Sequence, residues 1–148
     1  VVQESLNTRI TTNSTTYTST GLTASITPTS TSSKILVDVR VGSGASQRNL
    51  NRVYFKVTGG NITLVGSGSA GHSGHFTMCP RAADGTHNQI PGSMLLLDSP
   101  ATTSEVTYTL EWCAETSSYY SVMNSSYADN AEAQNDVTTI TLQEIAGA

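Results

Sequence analysis

Apolar and polar residues alternate through much of the chain, and this pattern predicts β-strands. Over 35–41, aliphatic residues at every odd position alternate with Leu, Asp and Arg, and the same period of two returns over 53–57 and 106–113. Successive side chains of a strand point to opposite faces of a sheet, so one set in each segment is expected to face a core. The pattern therefore favours half-buried strands over helices.

Turn signals separate these segments at short intervals. Pro28, Gly59-Gly60 and Asp98-Ser99-Pro100 each stand between two apolar stretches, and a spacing of this kind predicts roughly eight to ten short strands. The chain shows no strand–helix–strand rhythm and no convincing repeat. The sequence thus predicts one all-β domain over 1–148, an antiparallel β-sandwich of jelly-roll type. The first dozen residues are expected to be extended, as an arm of this domain.

A continuous apolar run, Met94–Leu97, breaks the alternation. Such a run is typical of a strand that is covered on both sides. The segments Gly42–Asn51 and Arg81–Gly92 are predicted to be loops, because turn-forming residues dominate them. Two shorter strands are expected over His75–Cys79 and Tyr119–Met123.

Composition supports the same fold and limits the partners. Charged residues make up 12% of the chain, against ~25% in an average soluble domain, and there are 23 threonines and 20 serines. The net charge of −4 and the pI near 5.1 argue against electrostatic binding of nucleic acid. Outer faces that carry Thr, Ser and Asn in place of Lys and Glu give weak protection against edge-to-edge pairing. We therefore expect self-association with closed symmetry.

The chain start and the two cysteines add little to this picture. No apolar run approaches the ~20 residues of a membrane helix and no signal peptide precedes Val1, so membrane insertion is not expected. A first residue other than Met fits a processed form, a fragment or the ordered part of a longer protein. Cys79 and Cys113 fall in different predicted strands; two free, buried thiols are the favoured interpretation, and one bridge between them stays open.

Catalytic motifs are incomplete. Gly71–His75 places a serine at the centre of a nucleophile-elbow pattern, but His replaces the last Gly and no strand-to-helix turn is expected. The Gly-rich stretches lack the Lys-Ser/Thr pair and the helix that bind phosphate. Asp98, Glu105 and Glu111 could be proposed as glycosidase carboxylates, yet nothing in the pattern brings two of them to one cleft. The sequence therefore predicts a protein that is not an enzyme.

Metal-ligating residue types occur without the usual metal-site spacing. His72 and His75 form an H-x-x-H pair, with Cys79 and His87 further along, but tight ligand pairs such as C-x-x-C are missing. The two paired histidines are weak metal candidates, and loop histidines in solvent or at a subunit interface are the favoured interpretation. The acidic segment 127–136 lacks the spacing of an EF-hand loop. No metal and no cofactor are predicted.

Tyrosines provide candidate contact surfaces, because exposed Tyr beside Asn and Ser is common where proteins bind carbohydrate or protein. The tyrosines expected to be exposed are Tyr17, Tyr54, Tyr119, Tyr120 and Tyr127. Of these, Tyr119, Tyr120 and Tyr127, together with His87, are the candidates for contact with a receptor or partner. The alternative is that several of them pack on strands or between subunits.

Three segments resemble a family of structural domains from tailed phages, especially marine and cyanobacterial ones. They are Thr15–Lys34, which runs into Ile35-Leu36-Val37, then Leu95–Tyr108, and finally Thr138–Gly147. In that family a strand pair, a turn with its strand and a closing strand have similar sequences in the same order. The three segments cover about a third of the chain, and each is structural in kind.

The resemblance implies a non-enzymatic protein on the surface of a virion, as a tail fibre, a head fibre or a capsid decoration module. We accordingly expect a homotrimer that contacts other capsid or tail proteins, with a host-surface glycan as a further partner. The regions Gly66–Gly92 and Tyr119–Asn130 are the expected receptor contacts. A carbohydrate-binding or carbohydrate-active domain of a secreted bacterial protein is the alternative.

Overall fold

The computed structural model describes residues 1–46, 52–63, 74–78, 90–126 and 135–147, and within these ranges the chain forms ten strands and no helix. The strands are β1 Val2–Leu6, β2 Ile10–Thr12, β3 Thr18–Ile26, β4 Lys34–Ser46, β5 Val53–Thr58, β6 Phe76–Met78, β7 Ile90–Asp98, β8 Val106–Ala114, β9 Ser121–Met123 and β10 Thr138–Ile145. All their pairings are antiparallel. The predicted all-β class is confirmed.

Two sheets pack against each other. Sheet A contains β1, β10, β4 and β7 side by side, with β9 and β2 added at the far end of β4; sheet B has the order β3, β8, β5, β6. When the eight main strands are counted along the chain, sheet A reads 1-8-3-6 and sheet B reads 2-7-4-5. This alternation between the sheets is the jelly-roll order, so the predicted sandwich is confirmed.

The core lies between the sheets and consists of the residues that the alternation assigns to it. Ile35, Val37 and Val39 of β4 have no exposed surface. From sheet B, the Phe55 ring stacks on the Trp112 ring with centroids 6.2 Å apart, and Tyr108 is fully buried. Burial of such side chains is the main stabilising contribution to a fold of this kind.

Two strands extend into segments that were predicted to be loops. β4 continues to Ser46, because its far end pairs with β9 from Gly44 onward; its pairing with β7 shifts register between Val41 and Gly44. Glycine is needed for close packing at Gly42, where a Cβ would lie 2.5 Å from the backbone carbonyl oxygen of Val137. β7 begins at Ile90, and it contains Pro91, which suits an edge strand.

The segments considered as an arm and as a short strand also have defined places. The first dozen residues are extended as predicted, and they form β1, which pairs with β10, and β2, which pairs with β9. β9 spans only Ser121–Met123, so Tyr119 and Tyr120 precede it in a turn. The predicted strand over His75–Cys79 appears as β6, but Cys79 lies outside the described residues.

The prediction that Met94–Leu97 is covered on both sides is wrong for the single chain. Met94 faces the core and is 7% exposed, whereas Leu95 and Leu97 are 64% and 55% exposed on the outside of sheet A. β7 is an edge strand whose inner side packs toward sheet B. Among the described residues, no second layer lies over its outer side.

Candidate contact surfaces

The outer face of sheet A carries an apolar patch, which we define as Leu36, Leu95, Leu97 and Ile145. Leu36 and Leu97 are directly opposite each other in the β4–β7 register. On the other side of β4, Ile145 of β10 stands opposite Lys34. Leu95, Leu97 and Ile145 are the exposed members, and Leu36 is half-buried. Leu36, Leu95 and Leu97 thus occupy adjoining positions on two strands, and Ile145 lies diagonally across from Leu36 on a third.

A groove lies beside this patch on the same face. It is an open groove of about 720 Å³, and its lining includes Asp38, Arg40 and the segment 91–95 of β7. The Arg40 guanidinium contacts the Asp38 carboxylate at 3.2 Å, with the Arg40 side chain 73% exposed. The face therefore offers apolar surface, a recess, the Asp38 carboxylate and two cations, Arg40 and the exposed Lys34.

The outer face of sheet B is covered in part by the chain itself. The backbone carbonyl of Ser14 accepts a hydrogen bond of 2.7 Å from the Ala114 amide, which holds the segment before β3 against the end of β8. Tyr17 then lies on the sheet, and Lys56 places its ammonium 4.4 Å from the Tyr17 ring centroid. Under this cover Cys113 is fully buried, although its position in β8 points outward.

Charged and polar groups on this face are paired with each other. Lys56 Nζ and Glu111 Oε2 are 3.0 Å apart, and both side chains are about three-quarters buried. The Tyr17 hydroxyl hydrogen-bonds with the Cys113 thiol, and burial raises the pKa of both groups. Cys113 is a free thiol, as predicted for it, and the prediction for Cys79 lies outside the described residues. A raised pKa disfavours the reactive thiolate.

A buried carboxylate closes the end of the sandwich at which β7 ends. Asp98 is 2% exposed and points inward. Its oxygens accept hydrogen bonds from the Tyr108 hydroxyl at 2.6 Å, from the Ser99 amide at 2.8 Å and from the Asn61 amide at 3.1 Å. The turn at Gly59-Gly60 approaches so closely that a Cβ on Gly60 would overlap the carboxylate. The Asp98 carboxylate thus joins the turn at Gly59–Asn61, the end of β7 and Tyr108 of β8 by hydrogen bonds.

His75 takes part in backbone hydrogen bonding. Its Nδ1 accepts from the Val57 amide at 3.1 Å, and its Nε2 lies 3.4 Å from the Thr63 carbonyl. Burial lowers the pKa of His75, and the positive charge of Lys56 acts in the same direction. Both ring nitrogens are therefore used within the chain when the imidazole is neutral, which argues for a structural role in place of metal binding.

Two of the predicted contact tyrosines, Tyr119 and Tyr120, lie at one end of the molecule. Tyr119 is half-buried and Tyr120 is 39% exposed, both in the turn between β8 and β9. Tyr54, in contrast, is only 8% exposed, so its prediction as an exposed aromatic is wrong. Tyr17 is half-buried against sheet B. The other predicted site residues, His72, His87 and Tyr127, lie outside the described residues.

The described residues bring no catalytic or metal-binding group together. Within them, no cluster of three or more His, Cys, Asp or Glu is placed to hold a metal ion, and no helix could cross a membrane. Asp98 faces the space between the sheets, whereas Glu111 lies on the outside of sheet B in contact with Lys56. These two carboxylates share no cleft. Glu105 is exposed in the loop before β8.

Sequence reasoning missed two features of these surfaces. Asp98 was assigned to a turn, but it has the same parity as Met94 in β7, and this parity was a signal that it points inward. The covering of Cys113 by Tyr17 joins residues far apart in the chain and has no local signal. No protein-family model and no curated protein sequence matches this chain.

Proposed function

We propose that this chain is a non-enzymatic structural protein of a tailed-phage particle, exposed on the virion surface as a homotrimer. The proposal rests on the resemblance of three segments to virion structural domains, and one structural observation supports it most. The three segments, which are far apart in sequence, meet at one end of the jelly roll.

Direct contacts join the three segments. Ile35, which continues the first segment, stands opposite Asp98 of the second and Glu144 of the third in the register of β4 with its two neighbours. Glu144 accepts hydrogen bonds from the amide and the hydroxyl of Thr29, at 2.7 and 2.8 Å. The resembling residues therefore form one structural unit, as expected if the resemblance reflects a shared fold.

The opposite end of the sandwich is the better candidate for adhesion. There, β8 ends at Ala114, and the turn that follows carries Tyr119 and Tyr120. Function in such domains is carried by loops on a rigid scaffold. A fibre knob would use this end to bind a host-surface glycan, whereas a capsid decoration module would use a sheet face to bind the shell.

Self-assembly is supported by the outer face of sheet A. Leu95 and Leu97 are both exposed on this face. Contiguous apolar patches are rare on surfaces that remain in water, and they commonly mark interaction sites. The assembly is proposed as a closed trimer with other virion proteins as neighbours. The chain is not proposed to bind nucleic acid or a membrane.

Cryo-electron microscopy of intact particles tests this function. The expected result is density for the chain in three-fold clusters, either over the icosahedral shell or at the tips of fibres. Particles assembled without this chain are the control and should lack that density. Density on the shell would identify a decoration role, and density at fibre tips would identify host recognition.

Absence of the chain from particles would contradict the proposal. In that case, binding of the purified chain to an array of glycans would favour the alternative, a carbohydrate-binding domain. A Tyr119→Ala/Tyr120→Ala variant gives a matched test of the adhesive end, because its expected effect is on host or glycan binding and not on incorporation into particles.

A further inference from the structure

We propose that the apolar patch of sheet A, with the groove beside it, is covered by a second copy of this chain. This inference deepens the proposed function and rests on it for the number of copies. It assigns the contact between subunits to one face, centred on the outer side of β7. Four observations carry it.

The first observation is the mismatch between the sequence of β7 and its surroundings. Met94–Leu97 is apolar at four consecutive positions, a pattern of strands with a layer on each side. The chain provides the inner layer, over Met94, but Leu95 and Leu97 remain more than half exposed. A subunit placed on the outside of sheet A would supply the second layer.

The second observation is the chemistry of the patch. Its four members are all aliphatic, whereas glycan-binding surfaces depend on aromatic rings and hydrogen-bonding side chains. A lipid surface or a nucleic acid would require a dense surround of Lys and Arg. On this face only Lys34 and Arg40 are cationic, and the Asp38 carboxylate lies beside them. Aliphatic surface of this kind is matched by another apolar protein surface.

The third observation is that the face carries charges of both signs, so an anion of one copy can pair with a cation of the next. Beside the patch, β10 and β1 present neutral amides and hydroxyls, and the Gln3 amide donates to the Thr141 hydroxyl at 2.8 Å. The charged side chains on the outward-facing positions of β4 are Lys34, Asp38 and Arg40, two cations and one anion. In a closed trimer Asp38 of one copy can therefore pair with Arg40 of the next, and the open groove of about 720 Å³ has room for side chains of the neighbour.

The fourth observation is that the exposed face coincides with a sheet edge. β7 is nine residues long and pairs only with β4 among the described strands. Long apolar edge strands are templates for association unless Lys, Pro or a bulge protects them. Pro91 lies near the start of β7, so the part with Leu95 and Leu97 has no such protection.

The test is a charge-introducing double variant with a matched control. In Leu95→Lys/Leu97→Lys, two exposed side chains become cationic, so the fold of the single chain should persist. The control is Thr23→Lys/Thr107→Lys, which places the same charges on exposed positions of the outer face of sheet B. Sedimentation velocity over a range of concentrations gives the dissociation constant of the oligomer, and circular dichroism and Trp112 fluorescence confirm folding.

We expect the wild-type chain and the control to form the same oligomer, and the Leu variant to dissociate at least about tenfold more readily. An unchanged dissociation constant in the Leu variant would overturn the assignment of the face. A wild-type chain that is monomeric at every concentration would overturn it too, and loss of the Leu variant from particles would then show that another virion protein covers the patch.

These outcomes are distinct from a failure of the proposed function. If the wild-type chain is absent from particles but its oligomer depends on Leu95 and Leu97, the subunit contact stands and the virion role fails. If the chain is present in particles but its oligomer ignores both substitutions, the role stands and the contact assignment fails.

Discussion

On the outer face of sheet B the chain covers the Cys113 thiol with its own Tyr17, whereas on the outer face of sheet A it leaves leucines exposed to solvent. Tyr17 lies over Cys113, and Lys56 closes the arrangement by its contacts with Tyr17 and Glu111. Leu95 and Leu97 have no comparable cover among the described residues, and their exposed fractions are 64% and 55%. The outer face of sheet B is thus partly covered by the chain itself, whereas the leucines on the outer face of sheet A are not covered by described residues.

This difference between the two faces predicts which substitutions affect the stability of the single chain and which affect its association. The cover on sheet B acts within one chain, so substitutions there should lower the free energy of unfolding at any concentration. The patch on sheet A makes few contacts within the chain, so substitutions there should change association and leave the stability of the single chain almost unaltered. Measurements on dilute, monomeric protein and on concentrated protein therefore distinguish the two faces.

The largest expected effect comes from the inner side of β7. Asp98→Asn replaces one of two oxygens that accept three hydrogen bonds in a buried site. At least one donor then loses its partner, and we expect a loss of about 2–4 kcal/mol in the free energy of unfolding. Urea denaturation followed by Trp112 fluorescence measures it.

The control for this prediction is Leu97→Asn, one residue earlier on the outer side of the same strand. In dilute protein it should change stability by less than about 0.5 kcal/mol. Equal losses for Asp98→Asn and Leu97→Asn would contradict the contrast between the two sides of β7.

The next largest effect is expected from uncovering sheet B. Tyr17→Ala removes a half-buried ring that packs on Lys56 and Cys113, and we expect a loss of about 1–3 kcal/mol. The Cys113 thiol should also react faster with an alkylating reagent under native conditions, because burial raises its pKa in the wild type. Mass spectrometry of the alkylated peptide follows this rate.

Leu95→Ala is the matched substitution on sheet A. It should leave the stability of the dilute chain unchanged within about 0.5 kcal/mol and should not alter the alkylation of Cys113. A Tyr17→Ala variant with wild-type stability and an unreactive thiol would show that the packing of Tyr17 on sheet B does not contribute to the free energy of unfolding.

A smaller effect is expected from the ion pairs of the two faces. Lys56→Met breaks a mostly buried contact with Glu111 on sheet B, and it should cost about 0.5–1 kcal/mol. Arg40→Met breaks the contact with Asp38 on sheet A, where Arg40 is largely exposed, and its effect on the dilute chain should be close to zero. Thermal denaturation of the two variants at the same salt concentration compares their losses of stability. A larger loss for Arg40→Met than for Lys56→Met would contradict the prediction that the ion pair on sheet B contributes more.

The smallest effect is a pH dependence from His75, which directly precedes β6, the edge strand of sheet B. Its pKa in the folded chain is lowered below the ordinary value of 6.5 by burial. The unfolded chain therefore binds the proton more readily, so the stabilising contribution of neutral His75 is complete above about pH 6.5 and is lost as the pH falls toward the folded-state pKa. The melting temperature should fall across this window by less in His75→Gln than in the wild type; equal falls would contradict the prediction.

Much of the fold could be predicted from local pattern. The strict alternation over 35–41 and 106–113 assigned the core faces of β4 and β8, and Gly59-Gly60 marked a turn. These signals are local, since they depend on the pleat and on positive φ at glycine. The buried role of Asp98 was missed, because its partners Asn61 and Tyr108 come together only when the sheets pack.

The outer faces were harder to predict for the same physical reason. Period-two alternation shows that Leu95 and Cys113 occupy particular sides of their strands, but not what lies above those sides. Cys113 is covered by a tyrosine 96 positions earlier in the chain, whereas Leu95 is not covered by any described residue. The apolar run Met94–Leu97 did indicate two covered sides, and on our account the second cover belongs to another subunit.

Side-chain footprinting by a photoactivated carbene tests this account most directly. The purified wild-type chain is labelled at concentrations below and above its association range, and labelling is quantified at Leu95, Leu97 and Val1 by mass spectrometry. We predict that both leucines are labelled in dilute protein and protected in concentrated protein, while Val1, which is 86% exposed, is labelled equally in both. Equal labelling of Leu95 and Leu97 at the two concentrations would contradict the proposed subunit contact.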